Sequence, residues 1–185
     1  MAGFKWVGTE SGADPTGNTK RFNVAASHSG VLGPGDLVLI TGDGTAVTGI
    51  SEVDIGTANS ANTGVIQWVE PSLAGESLST THLAASTAGT VMVNVDPFAL
   101  YEADVTGTMV VANVGLNCPA VVTAGTVTDS IFVSNMGVNF TGVATTSTLP
   151  FQIVQLLDNS SGTFGGRALV RVNESTSKLG STGIS

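Results

Sequence analysis

The apolar residues of this chain recur with period two, in runs that a turn cluster soon stops. The clearest run is 90–95, where Val91, Val93 and Val95 alternate with Met92 and Asn94 until Asp96-Pro97 ends it. Alternation of this kind puts one row of side chains on each face of a strand. Nine further runs read as strands: 20–25, 37–41, 46–53, 65–70, 100–105, 121–127, 130–134, 151–157 and 167–173. Gly33-Pro34-Gly35-Asp36 and Gly42-Asp43-Gly44 are turns, so 36–53 reads as a hairpin. Trp68 alternates with Ile66 and is expected to face the core or an interface. Residues 72–89 are small and polar and read as loop, or as a short helix around 79–85. Gly, Thr and Val each occur 24 times, a mixture that disfavours helix and suits strands and turns. The expectation is an all-β chain, an antiparallel β-sandwich or small barrel. Periodicity carries no strand order, so a jelly roll is compatible with it as well.

A length of 185 residues fits one domain. Residues 20–173 read as a β-rich body, either a single domain or two small subdomains. Residues 1–19 read as an extended N-terminal arm, because Gly8, Gly12, Asp14-Pro15 and Gly17 interrupt any long element. Within the arm, Phe4 and Trp6 alternate with Lys5. Two readings stay open there: an anchor for another surface, or packing on this chain's own core. Residues 174–185 are rich in Ser, Thr and Gly and read as a flexible tail. Thr-Gly occurs seven times at irregular intervals, which excludes a solenoid or propeller.

Charge is distributed unevenly. The net charge is −8, and the six cations are Lys5, Lys20, Arg21, Arg167, Arg171 and Lys178, all near the termini. Residues 22–166 hold no Lys or Arg and eleven acids. Nucleic-acid binding needs clustered cations to neutralise phosphates, so no nucleic-acid partner is expected. Anionic membrane surfaces are disfavoured for the same reason, and no stretch has the apolar length of a membrane span. The opening residues show no basic region followed by an apolar run, so synthesis in a cytoplasm is expected.

No residue constellation points to catalysis. His28 and His82 lie in small polar surroundings without a second ligand at metal spacing, and both read as surface or loop histidines. Ser27-His28-Ser29 places Ser beside His, but strand neighbours point to opposite faces. Cys118 precedes Pro119 with no cation nearby and reads as a buried structural thiol. Glu52 with Asp54, and Glu102 with Asp104, are i, i+2 pairs that fit solvated carboxylates better than a Ca²⁺ or glycosidase site. No Gly-Lys-Ser/Thr phosphate loop is present. The expectation is a protein that is not an enzyme and uses no cofactor or metal.

The order of several features resembles a known family. They are Gly3-Phe4, Thr16-Gly17, Arg21-Phe22-Asn23-Val24-Ala25-Ala26-Ser27, Gly35-Asp36-Leu37-Val38 and Gly64-Val65-Ile66 with Val69-Glu70-Pro71. Val93-Asn94-Val95-Asp96-Pro97, Tyr101-Glu102-Ala103, Val114-Gly115-Leu116-Asn117 and Ala168-Leu169-Val170-Arg171-Val172-Asn173 follow. Each is ordinary turn-and-strand vocabulary, and the ordered set spans nearly the whole chain. It resembles the capsid cement (decoration) proteins of tailed bacteriophages, small β-rich virion proteins. The resemblance implies a structural role on the virion capsid surface, with the major capsid protein as partner and a homotrimer as the working unit. It implies clamping of the shell where capsid subunits meet, and it marks no binding residues. From charge and aromatic content, the expected capsid contacts are Phe4, Lys5, Trp6, Arg167, Arg171 and Lys178. A tail-tube, head–tail joining or fibre-base protein is the first alternative, and a carbohydrate-binding β-sandwich module the second.

Overall fold

The computed structural model describes residues 3–10, 12, 18–44, 49–70, 81–159 and 164–175. The described chain is built of strands, with two single-turn 3₁₀ segments at Val111–Asn113 and Phe140–Gly142. β1 (Lys5–Thr9) opens it. β2 (Thr19–Val24), β3 (Leu37–Gly44), β4 (Ser51–Ile55), β5 (Gly64–Glu70) and β6 (Gly89–Asn94) then close into a five-stranded barrel in the order β2-β4-β3-β5-β6. β6 lies antiparallel on β2, from Thr19↔Asn94 to Val24↔Gly89. Closure on β4 is one parallel pair, Asn23↔Glu52. Phe22, Val24, Val38, Val53, Ile66, Val69, Val91 and Val93 fill the interior. The period-two rows at 20–25 and 90–95 therefore have their apolar faces inside, and the 36–53 hairpin forms as β3 and β4.

Trp68 does not follow its row. It is 45% exposed, whereas Ile66 and Val69 are buried. The pairing of β5 with β6 shifts register between Ile66 and Trp68. One extra residue in a strand flips every following side chain to the other face. The bulge thus brings Val69 inside and turns Trp68 out.

The second half forms β7 (Ala99–Thr106), β8 (Asn117–Cys118), β9 (Ala120–Val121), β10 (Thr126–Thr128), β11 (Ile131–Val133), β12 (Gly137–Asn139), β13 (Phe151–Asn159) and β14 (Phe164–Val172). The larger sheet runs β8-β13-β14-β7-β12-β9. Only Pro119 separates β8 from β9, so the path begins and ends in one stretch of chain and the sheet curls on itself. Ala99, Tyr101, Ala103, Cys118, Val138, Phe151, Ile153, Ala168 and Val170 are buried within it. Burial pushes the Cys118 thiol well above its ordinary range. The same desolvation, followed by the Asp96 charge, raises the Tyr101 hydroxyl.

Neighbouring residues of the first barrel serve both cores. Val38 and Ile66 face its interior, while Leu37 and Val65 join the second core. This two-sided burial makes 37–38 and 65–66 consecutive apolar pairs instead of alternating ones.

Several expectations change. The 1–19 arm is not free along its described length: β1 is an antiparallel edge of β7, with Lys5↔Glu102 and Trp6↔Tyr101 in register. The 121–127 run splits into β9 and β10 around the non-strand residues 122–125. Of the 79–85 segment, 81–85 hold no helix; Leu83 instead bridges Leu32, with both side chains buried. His28 is not a surface residue. It is 1% exposed, with Nε2 2.9 Å from the Thr87 carbonyl oxygen. Of the 174–185 tail only Glu174 and Ser175 are described, and Ser175 bridges Asn62.

Candidate functional site

A groove of about 850 Å³ opens between β1 and the β10–β11 hairpin. Phe4, Lys5 and Trp6 line one wall, and Ile131, Phe132 and Val133 the other. Pro34, Gly35, Ile66 and Gln67 lie along it, and Asp104 and Arg167 stand at its charged end.

The hairpin wall is set by its turn and by one ring. Asp129 and Ser130 have φ of 51° and 65°, and the strands pair Thr128↔Ile131, Val127↔Phe132 and Thr126↔Val133. Positive φ at both central residues is the twist-matched geometry of a two-residue hairpin. Phe132 pins the hairpin to the barrel. A Cβ on Gly33 would stand 2.5 Å from that ring, so only glycine lets the ring lie there. The His82 ring stacks on Phe132 at 6.3 Å. Ser130 pays a left-handed backbone cost that glycine avoids. Ser130→Gly is therefore expected to raise unfolding free energy by about 0.5–1 kcal/mol in urea titration. A loss of stability would show that the serine side chain holds the turn.

The β1 wall arises from alternation. Phe4 and Trp6 turn inward, and Lys5 and Val7 outward. Phe4 is 3% exposed; its ring stacks on Phe151 at 4.8 Å and meets the Tyr101 edge at 6.0 Å. Its N–H donates to the Gly35 carbonyl at 3.0 Å. Trp6 packs partly buried against the same core, and its Nε1–H donates to the Gly8 carbonyl at 2.8 Å. Phe4 is thus a core residue. Of the two readings of the arm, the structure supports packing on this chain's own core.

The cations expected at a partner surface are engaged within the chain. Arg167 pairs with Glu102 and lies 3.8 Å from Asp104, and Lys5 reaches the same Glu102 at 3.9 Å. Register explains the cluster: Arg167 sits opposite Asp104 and Lys5 opposite Glu102. Arg171 donates from Nε to Gln152 at 2.7 Å and pairs through Nη1 with Glu10. Lys5, Arg167 and Arg171 link β1, β7, β13 and β14 through these pairs. Lys178 lies outside the described residues. The Glu102–Asp104 pair is an ion-pair partner and not a lone pair of carboxylates.

A carboxyl that no motif singles out adjoins Gly35 and Ser134 of the groove lining. Asp36 is fully buried, accepting from the Gly33 N–H at 3.0 Å and the Ser134 hydroxyl at 2.5 Å. Beside it the Leu37 N–H meets the Met136 sulfur at 3.0 Å. Asp36 thereby ties the first barrel to the strand junction at 134–136. Burial raises its pKa to about 7, against the lowering effect of those two hydrogen bonds. The only hint in sequence is that Gly-Pro-Gly-Asp favours a turn in which Asp bonds its own backbone.

Among the described residues, no three His, Cys, Asp or Glu side chains come together at a metal-holding distance. No described helix is long and apolar enough to cross a membrane. The groove lies between two strands and ends in a compensated cluster of charges. Comparison with family models, with curated proteins and with solved structures finds no match to this chain.

Proposed function

We propose that this chain is a non-enzymatic structural protein of a tailed-bacteriophage virion. In this reading it binds the outer capsid surface where major capsid subunits meet and stabilises the shell as a homotrimer. One observation carries the interface role. Across 105–157 the only charged residue is Asp129. Of the eleven exposed large hydrophobics among the described residues, seven fall in that segment: Val110, Val111, Val114, Val127, Ile131, Val133 and Val154. Interface cores are depleted in charge because desolvating an unpaired ion is costly, and they gain from buried apolar area. The ordered resemblance to cement proteins directs the reading to a capsid, and three modest contacts on one trimer multiply into avidity. With Phe4, Arg167 and Arg171 engaged internally, the contact surface of the proposal moves to these exposed valines and isoleucine.

The test is co-sedimentation with expanded empty shells of the matching major capsid protein. Saturation near one chain per capsid subunit, with none on unexpanded shells, is expected. Val111 is 68% exposed, so Val111→Glu is expected to keep the melting temperature and to weaken shell binding about tenfold or more. Absence of binding at micromolar protein would overturn the reading in favour of a tail or joining component.

A further inference from the structure

We infer that the joint between the first barrel and the second core holds one internal water, bound by Asn94, Asp96 and Tyr101. A cavity of about 20 Å³, counted as the space open to a water's centre, lies there. On that measure one water needs roughly 10–15 Å³, so the cavity has room for a water and none for a sugar or a nucleotide. Leu37 and Val65, which belong to the second core, form part of its apolar wall. Asn94, Asp96 and Tyr101 bring polar groups to it. Asn94 and Tyr101 are each 1% exposed, so this polar end lies deep.

Asn94 sets the first requirement. Alternation along β6 places its side chain: Val91 and Val93 face the interior of the first barrel, so Asn94 faces out of it, toward the second core and the cavity. Its Oδ1 accepts from the Asp96 N–H at 2.9 Å, which fixes the orientation of the amide. Nδ2 is then the other end of the amide, and it is buried without a partner. A buried donor left unpaired is costly, and native proteins satisfy such groups with protein or with water.

The occupant follows from what these groups can exchange. Asn94 needs an acceptor. Asp96 is 8% exposed and spends Oδ1 on the Phe98 N–H at 2.9 Å, which leaves its other oxygen for a donor. The Asp96 charge also acts on the Tyr101 hydroxyl, so the two groups share one field. A metal cation or an ammonium ion cannot accept from Asn94. An anion would face the carboxylates of Asp96 and Glu174, both in the lining. Water accepts from the amide and donates to the carboxylate, and the Tyr101 hydroxyl serves as its third partner, the usual count for an internal water. Asn94 closes β6 of the first barrel and Tyr101 lies in β7, so the water joins the two halves. The inference does not rest on the capsid assignment.

The test is water–protein nuclear Overhauser spectroscopy on the ¹⁵N-labelled full chain, recorded in the laboratory and rotating frames. Cross-peaks of opposite sign in the two frames are expected between water and the Asn94 Nδ2 protons, the signature of a bound water. No cross-peak at that amide would overturn the inference and leave the cavity dry. Peaks of equal sign would also overturn it, because they report proton exchange with bulk solvent. A hydroxyl proton that exchanges with solvent can relay the same signal, so Tyr101→Phe is measured as well. This variant is expected to keep the Asn94 peaks, since the amide and the Asp96 carboxylate remain. Their loss, with the other amide positions unchanged, would overturn the inference in favour of relay through the Tyr101 hydroxyl. None of these outcomes decides shell binding, which co-sedimentation reads separately.

Discussion

Replacing Phe4 by alanine is expected to lower unfolding free energy by about 3–5 kcal/mol, measured by urea titration at neutral pH. The ring is buried between Phe151 and Tyr101, and its removal leaves a cavity where β1, β7 and β13 converge. The Phe4 N–H also fastens the chain start to Gly35, beside the buried Asp36. Lys5→Ala is the control: its ammonium is half exposed and 3.9 Å from Glu102, so a change within about 0.5 kcal/mol is expected. The comparison decides what the N-terminus does. A large loss at Phe4 means that removing the first residues unfolds the second sheet, so weaker shell binding after truncation would report lost fold. A loss at Phe4 below about 1 kcal/mol would return the aromatic to the role of an anchor.

Asp36→Asn is expected to change the pH dependence of stability more than any other single replacement. Burial raises this carboxyl from 3.8 to about 7 in the folded chain. Below about pH 4 it is neutral in both states, and its contribution is fully present. Between about pH 4 and pH 7 the unfolded chain has released the proton while the folded chain keeps it, so stability falls as pH rises. Above about pH 7 the loss is complete, on the order of 4 kcal/mol from the shift. Asparagine keeps the shape and can accept from Gly33 N–H without a charge. The variant should match the wild type near pH 4 and exceed it progressively up to pH 8. Parallel profiles for the two proteins would show that the carboxyl is hydrated or paired when folded. Asp36→Ala should be less stable than Asp36→Asn at every pH, because it leaves the buried Gly33 N–H without its acceptor.

The all-β class and most strand positions were legible because a half-buried strand writes its burial into every second residue. Val91 and Val93 are inside as their row requires, and so are Val170 and Ala168. Where burial has another cause, the signal fails. β8, β9 and β12 have two or three residues each, too few for any period, yet they close the larger sheet. Trp68 is turned out of the core by a bulge, whose register shift leaves no mark in one-letter code. His28 is polar and sits beside two serines, so nothing local announces that the 81–87 segment covers it.

The candidate site was legible in its residue types and not in their roles. The arm's aromatics and cation, and the late arginines, do converge on one region: Phe4, Lys5, Trp6 and Arg167 all border the groove. Which of them is free for a partner depends on what lies opposite, and register with β7 alone supplies that. Arg167 meets Asp104 and Glu102 across strands more than sixty residues apart in sequence. The 130–134 run announces the hairpin wall as a strand, while its place opposite β1 comes from the tertiary structure. Local sequence by itself determined the strand class, the turn at Gly33-Pro34-Gly35-Asp36, the burial of Cys118 and the lack of charge across 105–157. The tertiary structure decided which strands are edges, which charges are compensated and that Asp36 is sealed from water. The division has a physical cause: strand propensity and alternation act between near neighbours, while edges, ion pairs and desolvation depend on chain brought together from far away.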